Sequence, residues 1–281
     1  MASLFHYCPY NSFLSILENR TIMFSDITRS NDCEEIIALL DQYVSYNDKH
    51  PNIFGVNIVK AELDKQLLYT SFITACFSEN RDSEKMWKRY GSEGICIEYN
   101  KGKLSEWCTH ISVLHGRVTY EKNMENNLFR LGKVEYLSPN ARKKFVEETS
   151  KETKSGLTPF HVFLAKAPYI KDFDKWNDEN EWRISIPLVR DELDQFYILR
   201  GNSVKIPENI IDLTSGYNSR NKPCKCCFVP FEPDMIESIT LAQNCVVKQA
   251  CIIKELKELG FDKLVNRIQR SKVICNRKEE A

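Results

Sequence analysis

The sequence has no net charge: 39 Lys and Arg stand against 39 Asp and Glu. That excludes a general electrostatic pull towards nucleic acid or an anionic bilayer, though not a local basic patch. No apolar run approaches the length of a membrane span. The opening MASLFHYCPYNSF lacks the basic start and apolar centre of a secretory signal. Eleven cysteines without such a signal are expected to be free thiols in a reducing cytoplasm. The chain has no P-loop, no GxSxG and no HExxH. No glycine-rich turn follows any predicted strand, which argues against a dinucleotide-binding doubly wound sheet. Internal repeats and low-complexity segments are also missing.

What is present suffices for a sizeable core, with 42% hydrophobic and 11% aromatic residues. Leu4–Cys8 reads as a strand, with His6 and Cys8 on one face and Phe5 and Tyr7 on the other. A short helix capped by Asn11 or Ser12 and a strand at 21–25 follow. Helices are expected at 32–43 and 56–69, the latter from Ile58 or Val59, Leu63 and Leu67. ITACFS (73–78) is a small and apolar run, the mark of a strand buried on both sides. GICIEY (94–99) is another. Residues 111–120 are expected to form a strand, and 122–156 to be mostly helical, with Ser138-Pro139 a helix start. A short helix at 158–167 and strands at 196–199, 204–206 and 236–242 come next, with a polar loop running up to Cys227. A helix at 246–259 is closed by Gly260, and 272–275 looks like a last strand. This order predicts an α+β fold with mixed, mostly antiparallel sheets and flanking helices. One domain over 1–281 is expected, with a helical insertion near 122–168 and a strand-helix-strand extension near 235–281.

The chain is organised around YIKDFDKWNDENEWRISIP, residues 169–187. In its second half Glu181, Arg183 and Ser185 alternate strictly with Trp182, Ile184 and Ile186. One face belongs to a core, the other presents a carboxylate, a guanidinium and a hydroxyl. If the strand starts early, Glu179 joins that polar face. Pro187 is expected to end it.

Other groupings are plainer. Cys224, Cys226 and Cys227 lie in PCKCCF, which lacks the CxxC spacing of a zinc site; small buried thiols or a reactive loop are the simpler expectation. A Cys–His nucleophile built on Cys8 or Cys76 has no local signature. His50, His110, His115 and His161 are isolated, whereas His6 sits on the polar side of its strand. Arg267, Arg270, Lys272, Arg277 and Lys278 form a basic run that either is solvated or contacts phosphate.

Four pieces resemble a mainly bacterial family, domain of unknown function 2971: FHYCPYNSFLSILENRTIMFSD, SNDCEE, CFSENRDSEKMWKRYGSEGICIEY and NDENEWRI. The sequence departs from that pattern where Cys8-Pro9 replaces Thr-Ser and Cys33 replaces Pro. That family in turn resembles DNA-modifying ADP-ribosyltransferase toxins. The resemblance implies an ADP-ribosyltransferase-like fold and NAD as substrate, with no metal. It implies a macromolecular acceptor, nucleic acid or protein, and a setting in toxicity or phage defence. Glu181 matches the catalytic glutamate and His6 the histidine that grips NAD. Glu179 would activate the acceptor, Tyr7 or Tyr90 would stack on nicotinamide, and Arg81 would balance the pyrophosphate. Residues 171–180 would face the substrate. Arg183 is equally suited to an inward ion pair with Glu98 or Glu181. An ionised carboxylate suits this chemistry because nicotinamide departure leaves an oxocarbenium-like sugar. The alternatives are an NAD glycohydrolase, a non-catalytic nucleotide- or partner-binding module, and a nuclease holding Mg²⁺ on Asp32, Glu34 and Glu179. The NAD reading requires His6 and Glu181 to converge on one cleft, within about 10 Å.

Overall fold

The computed structural model describes residues 2–27, 33–50, 70–114, 117–120, 130–152, 159–190, 195–198, 204–207, 214–217 and 223–273. Strand β1 (Ser3–Cys8) runs into Pro9, whose extended backbone starts helix α1 (Tyr10–Asn19) with a Phe13 N–H to Pro9 carbonyl bond of 3.0 Å. Pro9 itself is the cap, so the helix begins earlier than Asn11 or Ser12 suggested. Arg20, left-handed at φ 50°, ends it and delivers the chain to β2 (Thr21–Asp26). Helix α2 (Cys33–Lys49) and β3 (Thr70–Ser78) follow. A short helix α3 (Glu84–Met86) continues as a π-helix over Trp87–Gly91. Then come β4 (Ile95–Asn100), α4 (Lys101–Thr109), and the hairpin of β5 (Ile111–Leu114) with β6 (Arg117–Tyr120). Strands β7 (Arg130–Lys133) and β8 (Glu135–Leu137) precede α5 (Pro139–Thr149), which Ser138 caps. Helix α6 (Pro159–Lys166), β9 (Ile170–Asp172) and one-turn helix α7 (Phe173–Trp176) lead to β10 (Glu181–Arg190). The remainder is β11 (Gln195–Ile198), β12 (Val204–Pro207), β13 (Thr214–Tyr217), β14 (Pro223–Pro230), β15 (Ile236–Leu241), α8 (Gln249–Glu258) and β16 (Ile268–Arg270).

Most strands join one mixed sheet, ordered β12-β11-β10-β3-β1-β4-β15-β16. Its pairs are antiparallel except β15 with β16. Strand β3 is the hinge of the architecture. Its last residue meets β1 at Phe5↔Ser78, while further back Thr74 and Ile73 pair with Ser25 and Asp26 of β2. There the sheet divides, and β2 carries β14 and β13 away from the main path. A strand paired with three others and covered on both faces is mostly small and apolar, which accounts for ITACFS, and its buried Thr74 and Ser78 hydroxyls are hydrogen-bonded.

The two faces differ. One carries Leu4, Cys8, Ile73, Ala75, Phe77, Ile97, Ile184 and Ile239, packed with Phe13, Leu17, Ile252 and Leu256 from α1 and α8. Each Leu, Ile or Phe side chain among them contributes roughly 1.5–3 kcal/mol by leaving water. The other face packs Phe5, Tyr7 and Cys96 under Met86 and Trp87. Beside that lies a third cluster, with Tyr43 of α2 against Phe163 of α6, ring centroids 4.1 Å apart, over Phe72 and Ile170.

Several expectations change. Pro187 does not end β10; it pairs with Phe72 on the β3 side. On the other side β7 stops at Ser185 and β11 begins at Leu188, so the missing proline N–H falls in a gap between neighbours. Residues 130–133 and 135–137 are strands, because Leu131 and its neighbours complete the β10 edge. The stretch before Cys227 holds β13 and β14, and Cys226 and Cys227 are buried strand residues. Among the described residues the last strand is 268–270; of the strand expected at 272–275, residues 272 and 273 are not in a strand and the rest lies outside the described residues. The helix expected at 56–69 lies outside the described residues, as do Arg277 and Lys278. No helix among the described residues is long and apolar enough to cross a membrane.

Candidate functional site

Two loops at one end of the sheet hold each other. They are residues 78–83, after β3, and 177–180, before β10. Ser78 Oγ donates to the Glu179 carbonyl at 2.5 Å, and Asn80 Nδ2 to the Asp178 carbonyl at 2.5 Å. Glu79 N–H reaches the Asn180 carbonyl at 2.9 Å, and Asn180 Nδ2 reaches Asn80 Oδ1 at 3.0 Å. Asn180 sits at φ 45°, a conformation asparagine tolerates. CFSEN and NDENEW are thus two halves of one clamp, and it fixes where Glu179 and Glu181 point.

Beneath the clamp lies a buried ionic cluster. Lys171 Nζ bridges the two carboxylates, 2.6 Å from Glu179 Oε2 and 2.8 Å from Glu181 Oε2. Arg183 grips Glu181 with two parallel bonds, Nε to Oε1 at 2.8 Å and Nη2 to Oε2 at 3.0 Å. Its Nη1 donates to the Pro168 carbonyl at 2.6 Å, which fixes the plane of the guanidinium. The Lys171 and Glu179 side chains are 1% and 2% exposed. Tyr136 hydroxyl accepts the Glu181 N–H at 2.8 Å. Burial alone would raise the Glu181 pKa, but the charges of Arg183 and Lys171 outweigh it and hold the value at about 2. A bidentate Arg–carboxylate pair with a second cation is the arrangement that stabilises a buried anion.

The π-helix supplies the rest. Its backbone bonds span five residues instead of four, so successive side chains lie closer in angle than on an α-helix. Arg89 Nη1 and Tyr90 hydroxyl therefore reach the same Glu179 Oε1, at 2.9 and 2.8 Å. Trp176 of α7 covers the group, its ring centroid 4.8 Å from Lys171 Nζ and 4.9 Å from the Arg89 guanidinium carbon. The indole N–H of Trp176 is shielded from solvent and has no acceptor among the described residues. An orphaned donor of this kind costs about 1–3 kcal/mol. At the open rim, Lys85 Nζ and Arg89 Nη1 meet the Asp178 carboxylate at 2.7 and 3.2 Å. There burial would raise the Asp178 pKa, and the two cations hold it below the ordinary range.

The structure brings Glu179, Glu181 and Tyr90 together, and not the other predicted residues. His6 is a correction. Phe5, Ser78 and Glu181 stand in one cross-strand row and so share a face; His6, one residue on, points to the opposite face beside Phe77, ring centroids 6.0 Å apart. That is the face of the main core, not a polar one. Its Nδ1 lies 3.1 Å from the Cys76 carbonyl where β1 and β3 part, and burial pushes the ring below its usual range. Tyr7 is on the Glu181 face, but its hydroxyl is used up, donating to the Asn80 carbonyl at 2.7 Å and accepting from Ser83 N–H at 3.1 Å. Arg81 is 46% exposed and turned away, with Nη2 2.8 Å from Gln269 Oε1 and 3.8 Å from Glu98. Within residues 171–180 only Lys171 and Glu179 are buried; the stretch between them, which holds the one-turn helix, is half-buried or exposed. Arg183 pairs with Glu181 and not with Glu98.

The thiol and metal readings gain nothing from the geometry. Burial and the neighbouring Glu181 raise the Cys76 pKa well above the usual thiol range, and His6 addresses its carbonyl instead of its sulfur. Cys8 is likewise raised by burial, to about 12. Glu179 is occupied by three donors. Asp32 and the side chain of Glu34 lie outside the described residues. Among those described, no group of three or more His, Cys, Asp or Glu is placed to hold a metal.

Lys171, Arg89 and Tyr136 were missed in the sequence. The signal available for Lys171 was its place in YIKDF: it follows the buried Ile170 in a short strand that pairs with β8, so both sides of β9 are covered.

Residues 86–184 match the family described as a protein of unknown function, DUF2971. The similarity spans about a third of the chain. It begins at Met86, includes the π-helix, Lys171 and Trp176, and closes with Glu181, Arg183 and Ile184. Every member of the ionic cluster except Lys85 therefore lies in the DUF2971 match, whereas β1 with His6 does not. No curated protein and no solved structure matches the chain.

Proposed function

We propose that the head of β10 is a nucleotide-binding site, with the ionic cluster as its rigid floor and Lys85, Arg89, Tyr90 and Trp176 as the groups that meet the ligand. One observation carries this. All four oxygens of Glu179 and Glu181 are already engaged by cations or a hydroxyl, so the carboxylates act as anchors, while the partly exposed groups around them are cationic and aromatic. Cations with aromatic faces suit a phosphate and a base. Calorimetric titration with NAD, ADP-ribose and adenosine monophosphate tests it. Binding that Arg89→Gln weakens, in a protein that still melts cooperatively, is the expected result. No heat with any of the three nucleotides removes the proposal.

A second reading keeps NAD as the ligand and Glu181 as a catalytic carboxylate, with ADP-ribose transferred to nucleic acid or protein. It is favoured by the depressed Glu181 pKa, which leaves an anion at every physiological pH, as an oxocarbenium-like sugar requires. It loses the His6 grip, because that side chain lies on the other face of β3. It also requires Lys171 to release Glu181. Incubation with labelled NAD and cell extract separates the possibilities. Label on a polymer, abolished by Glu181→Gln, means transfer. Free nicotinamide without labelled polymer means hydrolysis. Nucleotide binding with neither leaves a binding module.

A further inference from the structure

We infer that a phosphate group of the nucleotide binds between Lys85 and Arg89, in the position held here by the Asp178 carboxylate, so that Asp178 is a built-in competitor of the ligand. This rests on the nucleotide reading above and names its anion subsite. Lys85 and Arg89 stand four residues apart on α3 and the π-helix, and both reach one carboxylate, at Oδ2 and Oδ1 respectively. Two cations converging on a two-oxygen anion present the geometry a phosphate needs.

Three further observations distinguish this pair from the floor of the site. First, it is open: the side chains of Lys85, Arg89 and Asp178 are 66%, 31% and 19% exposed. Second, the charges do not cancel. Lys85, Arg89, Lys171 and Arg183 face Asp178, Glu179 and Glu181, four cations against three carboxylates, and the excess lies at the open end. A phosphate carries more charge than the carboxylate it would replace. Third, the Trp176 ring lies against Arg89, 4.9 Å from its guanidinium carbon, and the indole N–H has no acceptor among the described residues, so a phosphate oxygen reaching it would satisfy it. The exchange needs no loop movement. The Asp178 backbone is pinned through its carbonyl to Asn80 Nδ2 at 2.5 Å, and rotation of the side chain alone vacates the position.

The test is titration of the full chain with inorganic pyrophosphate, NAD, adenosine and a short single-stranded oligonucleotide, using wild type, Asp178→Asn and Lys85→Glu, each checked by thermal melting. Asp178→Asn is expected to bind pyrophosphate and NAD about tenfold more tightly, and Lys85→Glu about tenfold more weakly, the value of one charge-assisted bond. Both differences should shrink in high salt. Adenosine, which has no phosphate, should bind all three proteins alike. NAD binding equally to all three overturns the phosphate subsite and leaves the nucleotide reading standing. No binding of any probe to any variant removes both. Oligonucleotide binding that depends on Lys85 and Asp178, without NAD binding, upholds the phosphate subsite and makes nucleic acid its source.

Discussion

Lys171 decides the stability of the buried cluster. It bridges both carboxylates at the β10 head, at 2.6 and 2.8 Å. Lys171→Met would leave two buried anions with one partner fewer, a loss of about 3–5 kcal/mol in urea unfolding. Adding Glu179→Gln should recover part of that, because the pocket then holds one fewer charge; a double variant no more stable than Lys171→Met would refute the bridging role. Acid titration reads Glu181 directly. Its folded pKa of about 2 lies below the unfolded value of 4.5, so its stabilisation is fully present above pH 5 and is lost as pH falls towards 2. The loss should be on the order of 3 kcal/mol, and Glu181→Gln should remove that limb of the stability–pH curve. Glu181 and Glu179 were legible in the sequence because strict alternation and a dense polar motif mark them, whereas Tyr90 entered only through the family resemblance. Lys171 was hidden because a lysine in a charged run looks solvated, and only the fold brings Trp176, Glu179 and Glu181 around it. His6 is not legible from alternation alone, because His6 and Cys8 together read as a polar face while the register places both over the main core.

At the scale of elements, close approaches do more than propensity. Gly94 opens β4 directly against the end of β1. A Cβ there would lie 2.1 Å from the Cys8 carbonyl oxygen, and its own carbonyl accepts the Ala242 N–H at 3.0 Å. Backbone meets backbone on both sides, so nothing can yield cheaply. Gly94→Ala is expected to cost at least about 1–3 kcal/mol, read as a lower melting temperature with an unchanged far-ultraviolet spectrum at low temperature. A melting point within a degree of wild type would contradict the packing described. Most helices and inner strands could be read from periodicity and caps, as Ser138-Pro139 shows for α5. Strand β7 could not. RLGK has no alternation of its own, and it is extended because the free side of β10 needs a partner from Trp182 to Ser185. Pro187 misled for a related reason: whether a proline ends a strand depends on whether a neighbour asks for its N–H.

For the molecule as a whole, β3 joins everything. It contacts β10 over nine paired positions, meets β1 at one end, and hands over to β2 where β1 departs. Hydrogen exchange should therefore be slowest in β3 and β4, limited by global unfolding, and faster in β16, three residues paired on one side at the sheet edge. Equal protection in β16 and β4 would contradict this hierarchy. The α+β class and the antiparallel pairing followed from the order of short strands and helices. The division of the sheet at β3 did not, because which strand neighbours which is set by long-range packing that local patterns do not record.

The π-helix at Trp87–Gly91 is, in chain terms, an α-helical turn with one residue more than it needs. Loss of a single codon between Trp87 and Arg89 would close it to an ordinary turn. Trp87 would keep its wedge against Tyr7, 4.8 Å between ring centroids, and the scaffold would survive. Arg89 and Tyr90 would swing off Glu179, and the ionic floor would lose half its supports. Descent could therefore discard the site and keep the architecture in one genetic step.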